Sequence, residues 1–243
     1  MTELVFREDA YLRDLPAKVT RITDEGGIVL DRSIFYPTGG GQPGDSGHLD
    51  WGDGRIEIAT TLKGDRGEVI LVPAEPVKLP AVGVSARQVL DWERRHRHMR
   101  VHTALHLLSV VIPLPVTGGQ IGADKGRLDF LMPEPPEDKD ALEDALNKLI
   151  DCDFMVTEEW ITQEALDANP QLVKTMSVQP PRGSGRIRLV RIGQGTETAD
   201  LQPCGGTHVA WTSEIGRIQI GKIENKGKQN RRINILLEEA RGR

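Results

Sequence analysis

Residues 87 to 112, RQVLDWERRHRHMRVHTALHLLSVVI, contain neither glycine nor proline, and their apolar positions recur at helical spacing. The run predicts one long helix, ended by Pro113. The text before it has the opposite character. From residue 1 to about 72, short apolar stretches (AKVTRI, GIVLDRSIFY, RIEIATTL, EVILV) alternate with Gly, Asp and Pro, which predicts a small β domain. The segment PAEPVKLPAVG (73–83) is rich in proline and lacks periodicity, so the boundary is expected there, dividing the chain into residues 1–83 and 84–243. Further on, a second helix is predicted over EDKDALEDALNKLID (137–151), with Ala141, Leu142, Ala145, Leu146 and Leu149 on one face. A shorter helix is predicted over EEWITQEALDAN (158–169), stopping before Pro170. Strand-like text returns in GRIRLVRIG (185–193), IGRIQIGKIENK (215–226) and RRINILLEEA (231–240). Helices followed by strands, without regular βαβ alternation, predict an α+β second part.

Composition narrows the function classes. The net charge of -5 argues against a surface that grips nucleic acid everywhere, while leaving room for a local basic face. With only two cysteines, and a start (MTELVFREDA) that lacks secretory-signal features, a cytoplasmic location is expected. Apolar runs such as LHLLSVVIPL (105–114) are broken by proline and are too short for a membrane helix. No phosphate-binding loop or dinucleotide fingerprint occurs, so no nucleotide cofactor is expected.

Chemistry concentrates in two short pairs. Three of the six histidines and one of the two cysteines form His102/His106 in HTALH and Cys204/His208 in CGGTH. Residues four apart on a helix share a face, so His102 and His106 can grip one ion from neighbouring turns. Gly205 and Gly206 let a loop curl, so that Cys204 and His208 meet. Either pair alone is a common coincidence; together, in a histidine-poor chain, they predict a metal site, and three imidazoles with one thiolate favour Zn2+. Four protein ligands usually make a closed structural site, whereas a catalytic zinc keeps a position open. His96 and His98, in ERRHRHMR, are read as part of a solvated basic face, and His48 and Cys152 as structural or exposed.

HTALHLL, TGGQIGADKGRLDF and CGGTHVAWTSEIGRIQIGKIENKGKQNRRI, in this order, resemble the editing domain of alanyl-tRNA synthetases. Upstream, FYPTGGGQPGDSG resembles the glycine-rich segment that precedes that domain in the same family. Nothing in the motifs resembles the aminoacylation domain, so the chain is similar to the free-standing editing proteins of the AlaX type, in their medium-length form. The resemblance implies a small β-barrel of the translation-factor kind followed by an α+β editing domain of the threonyl/alanyl-tRNA synthetase type. It also implies a zinc ion on His102, His106, Cys204 and His208. The activity it implies is deacylation of mischarged tRNA(Ala), chiefly Ser-tRNA(Ala), with Gly-tRNA(Ala) as a second candidate.

Thr103 and Gln120 match polar positions of the family's pocket and are the candidate catalytic-pocket residues, suited to a seryl hydroxyl. For Thr103 the alternative is capping or packing within its helix, and for Gln120 a loop position. The candidate contacts to tRNA are Gly40, Gly41 and Gln42 of the glycine-rich segment, and Lys228, Arg231 and Arg232 of the basic cluster that also contains Lys222 and Lys226. A sharp β turn would explain the same glycines without function. Arg87, Arg94, Arg95, Arg97 and Arg100 form a second basic cluster, weighed evenly between phosphate contact and a solvated face. Two other readings stand against the hydrolase: a non-catalytic tRNA-binding module stapled by structural zinc, and a zinc peptidase, for which HTALH lacks the glutamate of HExxH.

Overall fold

The protein is described from a computed structural model covering residues 1–52, 54–175 and 186–238. The first residue of the expected strand GRIRLVRIG and the last two of RRINILLEEA lie outside these residues. The chain divides into two compact units, Met1–His98 and Met99–Arg243.

In the first unit, strands β1 (Glu3–Leu4), β2 (Asp14–Ile22), β3 (Ile28–Leu30), β4 (Arg32–Ser33), β5 (Gly47–Trp51), β6 (Gly54–Lys63), β7 (Val69–Pro73) and β8 (Ser85–Leu90) follow one another. Six of them close into a barrel in the order β2-β3-β7-β6-β5-β8, and β1 pairs in parallel with β4. Alternating side chains fill the barrel: Val19, Ile28, Leu30, Leu49, Ile56, Ile58, Leu71 and Ala86 are buried in one cluster. Closure removes the sheet edges that would otherwise be exposed. The expected barrel is therefore present.

Residues 87–90, expected to begin the long helix, belong to β8. Ala86, Gln88 and Leu90 point inward with a period of two, and the strand is held by β2 on one side and β5 on the other. The barrel thus includes residues beyond the expected boundary at 83/84. Helix α1 (Trp92–Val111) starts only after Asp91, whose carboxylate accepts the Arg94 N–H at 3.2 Å as an N-cap. The division between the units falls within α1.

The second unit holds β9 (Val116–Ile121), β10 (Lys125–Leu131), α2 (Lys139–Asp151), β11 (Val156–Ile161), α3 (Gln163–Asp167), β12 (Ile187–Ile192), β13 (Asp200–Pro203), β14 (Ile218–Asn225) and β15 (Asn230–Leu237). Two antiparallel sheets result, β14-β15-β10-β9 and β11-β12-β13. One face of the four-stranded sheet meets helices. A side chain at Gly126 would come within 2.5 Å of Val101 and 3.1 Å of Leu105, so glycine there lets α1 lie close to β10. On α2, Leu142, Leu146 and Ile150 are buried while Ala141 is exposed, and the Asn147 amide bonds both the N–H and the C=O of Ile218. The expected helix over residues 158–169 divides instead: 156–161 pair along their whole length with β12, and Thr162 caps a short α3 through Ala165 N–H. Sheet pairing outweighs the helical propensity of EEW.

Candidate metal centre

Every residue of α1 from Val101 to Ser109 is buried, so His102 and His106 stand on a core helix rather than a wet face. Their ring centroids are 5.2 Å apart. The other two donors come from the end of β13. Strand alternation along Asp-Leu-Gln-Pro-Cys puts Asp200, Gln202 and Cys204 on one face. The loop that follows is held by the buried Arg188, whose Nη1 donates at 2.9 Å to the carbonyls of both Cys204 and Gly206 and whose Nη2 pairs with Glu158. With the loop fixed, Gly206 N–H reaches Cys204 Sγ at 3.4 Å and His208 turns back toward it.

One donor atom from each of His102, His106, Cys204 and His208 lies within 4.8 Å of every other. Cys204 Sγ is 3.5 Å from His102 Nε2 and 3.3 Å from His208 Nε2. Tetrahedral zinc, with bonds of about 2.0–2.1 Å to nitrogen and 2.3 Å to sulfur, has N···S edges of about 3.6 Å. The two N···S separations are close to such an edge, and the four donors together could hold a metal ion. His208 directs its other nitrogen, Nδ1, at Thr103 Oγ1 (3.2 Å), and His106 directs Nδ1 at Asp200 Oδ2 (3.0 Å). Orienting contacts of this kind are what metal-binding imidazoles require.

The charges inside the cluster agree with its chemistry. Burial pushes the Cys204 thiol up, but the His102 and His208 imidazoles beside it outweigh burial and hold it well below the usual thiol range. Burial pulls His106 down, yet its hydrogen bond to Asp200 and its contact with Cys204 raise it to about 9. His208 lies well below the ordinary imidazole value, through burial first and then the neighbouring His102. The lowered thiol brings negative charge to the four donors, which favours a cation among them.

Thr103 is fully buried between the two helical ligands and packs inside its helix, donating to Met99 C=O at 2.9 Å while accepting from Val209 N–H at 3.3 Å. Gln120 is exposed on β9, not in a loop. It pairs in register with Arg127, accepts from Arg127 Nε at 3.3 Å, and stands on the face opposite Gly126 and α1. Among the described residues, the contacts around the four donors do not include Gln120. In the barrel unit, Gly39 and Gln42 exchange backbone hydrogen bonds of 3.0 Å across Gly40 (φ 58°) and Gly41 (φ 82°), a two-residue turn that demands positive φ at both centres. Gly40 and Gly41 are exposed at its tip and Gln42 is buried.

The basic residues divide between buried or paired cations and exposed ones. Arg232 forms a two-pronged pair with Asp129 at 2.8 and 3.0 Å, and Arg231 Nη1 caps the carbonyls of Gly227 and Asn230, whereas Lys222 and Lys228 are exposed. Arg95, expected on a surface face, is fully buried against Asp45 and donates to the carbonyls of Ala10 and Ile34. It anchors the segment after the glycine turn, where Asp45 also accepts Tyr36 N–H at 2.6 Å. His98, expected to be solvated, is buried, and burial with the nearby Arg94 charge lowers it to about 4; His96 stacks on Trp92 with centroids 5.4 Å apart. Sequence reasoning missed Asp200, Gln202, Lys174 and Arg188. The alternation of polar residues leading into Cys204 could have pointed to Asp200 and Gln202; Lys174 and Arg188 carry no local signal.

The family described as threonyl and alanyl tRNA synthetase second additional domain matches residues 187–234, from β12 through most of β15 and including Cys204 and His208. A second, described as tRNA synthetases class II (A), matches residues 11–94, so likeness to the synthetases extends over the barrel strands. An alanyl-tRNA editing protein AlaX-M of Methanosarcina acetivorans is 36% identical over 98% of this chain and 99% of its own length. That of Saccharolobus solfataricus is 33% identical over 96% of this chain and 98% of its own. An alanine–tRNA ligase of Pyrobaculum arsenaticum is 35% identical over 92% of this chain but only 25% of its own length. With a relative this similar along nearly its whole length, a closed barrel followed by the matched α+β unit, and the four donors assembled in that unit, the chain belongs to the AlaX-M family of alanyl-tRNA editing proteins.

Proposed function

We propose that the chain is a zinc-dependent deacylase acting in trans on mischarged tRNA(Ala), hydrolysing the ester that joins serine to the terminal ribose. The observation that carries this reading is the buried three-histidine, one-cysteine cluster in a member of the editing family. A zinc ion there supplies Lewis acidity, polarising a carbonyl or lowering the pKa of water. The chain's own residues hold and orient the donors. Thr103, with its hydroxyl already shared among Met99, Val209 and His208, acts through His208; Gln120, exposed on the sheet face opposite α1, remains a candidate for substrate recognition away from the four donors. Gly40 and Gly41 remain candidate contacts to the tRNA end, with Gln42 buried behind their turn, and Lys228 is the most available of the basic candidates.

Sparing of Ala-tRNA(Ala) follows from chemistry. A site built to hydrogen-bond a substrate hydroxyl rejects the analogue that lacks it by about 10⁴–10⁵, because its polar groups are left unpaired. Glycine would need steric exclusion of the alanine methyl instead. The deciding experiment measures deacylation of Ser-, Gly- and Ala-tRNA(Ala) by purified protein at known zinc content, expecting turnover of the first and protection of the last. One observation favours a second reading: all four donors converge, as in a closed structural site. Full zinc occupancy with tRNA binding and no turnover of any of the three would establish that reading and sink the deacylase.

A further inference from the structure

The carboxylate of Asp200 is fully buried. Oδ1 receives the Lys174 ammonium at 2.6 Å, while Oδ2 faces His106 Nδ1 at 3.0 Å and accepts from Gln202 Nε2 at 2.7 Å. Gln202 Nε2 also lies 3.2 Å from His106 Nδ1. An amide nitrogen can only donate, so if Nδ1 were the acceptor of Gln202 it would have no proton for the carboxylate beside it. The arrangement that satisfies every atom puts a proton on Nδ1 directed at Oδ2, with Gln202 donating to the same oxygen and lying close to the Ser109 hydroxyl at 3.4 Å. His106 then keeps the lone pair of its other ring nitrogen, Nε2, for the cluster.

We propose that Asp200, anchored by Lys174, is the positioning residue of the metal centre, fixing the His106 tautomer and aiming Nε2 at the ion. Lys174 pins the oxygen that does not face His106 and offsets the carboxylate charge, so the ring is oriented without adding a net negative charge to the site. Neither residue lies within HTALH or CGGTH, and Lys174 reaches Asp200 from a segment whose backbone carbonyl is fixed by Val116 N–H at 3.0 Å. The inference rests on the metal reading of the cluster and not on which amino acid is removed from tRNA.

The test is binding of Co2+ and Zn2+, separately, to the full chain by chelator competition, with the visible spectrum of the Co2+ form as a probe of ligand geometry. Asp200→Asn keeps the size of the side chain and removes its charge; affinity should fall by about 10–100-fold and the Co2+ bands should shift. Asn147→Ala is the control for simple destabilisation: equally buried in the same unit but bonded to Ile218, it should lower thermal stability and leave metal affinity unchanged. If Asp200→Asn does not fold, Lys174→Met decides, with an expected loss of about tenfold. A folded Asp200→Asn variant within twofold of the unaltered chain, or an unaffected Lys174→Met where only that variant folds, overturns the proposal. Failure of the unaltered chain to take up either ion would remove the metal reading itself, and this inference with it. Failure to deacylate Ser-tRNA(Ala) alongside a weakened Asp200→Asn site would leave the positioning role supported.

Discussion

Thr103 has one hydroxyl proton and two lone pairs, and Met99 C=O, Val209 N–H and His208 Nδ1 engage all of them. Thr103→Val preserves shape while leaving two buried N–H groups without an acceptor, at a cost of about 1–3 kcal/mol for each. It should also weaken metal binding by about 10–100-fold, because His208 loses the partner that fixes its ring. Thr103→Ser should recover both, as read by thermal unfolding and chelator competition. If Thr103→Val instead kept its stability and metal and lost only the preference for Ser-tRNA over Ala-tRNA, the hydroxyl would have to act on substrate directly. At this scale the sequence was legible where partners are close along the chain. His102 and His106 share a helix face and Cys204 and His208 share a loop, so residue type and spacing alone predicted the donors that the structure brings together. The side chains that orient them, Asp200, Lys174 and Arg188, act across folded segments, and no local spacing records such a contact.

Secondary elements were legible where period and capping agree. Asp138 opens α2 one residue after the expected start region, and β12, β14 and β15 fall on the strand-like text. They were misread where a short strand runs straight into a helix without a glycine or proline between them, as β8 does into α1 and β11 into α3; only pairing to distant strands separates the two. The same pairing gives the four-stranded sheet its polar face, where Arg127, Asp129 and Arg232 form one ion network. Burial alone would raise the Asp129 carboxyl, but the hydrogen bonds and charges of Arg232 and Arg127 outweigh it and hold it below the usual range. A carboxylate depressed in the folded state stabilises above its unfolded pKa of about 3.9 and loses that contribution as pH falls through its folded value. Asp129→Asn should therefore cost about 1 kcal/mol near pH 7, or roughly 2–4 °C in Tm. The gap to the unaltered chain should narrow below about pH 4. Thermal melts across that range check it; a pH-independent gap would show that shape rather than charge is what Asp129 contributes.

For the molecule as a whole, the β-then-α+β order was readable from punctuation and period, but closure of the barrel was not, because it depends on β8, which lies past the boundary expected at 83/84, meeting both β2 and β5. Charge at this scale poses the remaining question, since a chain of net charge -5 must attract a polyanion if it is to act on tRNA. Attraction has to come from cations not already spent inside the fold. Arg95 is spent on Asp45, Arg232 on Asp129 and Arg191 on Glu159, and Lys226 pairs with Glu224 at 3.0 Å. Lys222 and Lys228 are exposed on β14 and in the turn that follows it. If both meet phosphates, replacing both with alanine should flatten the log–log dependence of tRNA affinity on salt by about 1.4–1.8, at 0.7–0.9 per phosphate contact. Arg232→Ala should behave differently, lowering thermal stability by freeing Asp129 while leaving the slope nearly unchanged. Binding of tRNA(Ala), measured between about 50 and 200 mM salt, separates the cases. An unaltered slope in the double lysine variant would place the tRNA contact elsewhere on the surface, and a slope that fell with Arg232→Ala alone would mean that its pair with Asp129 opens when tRNA binds.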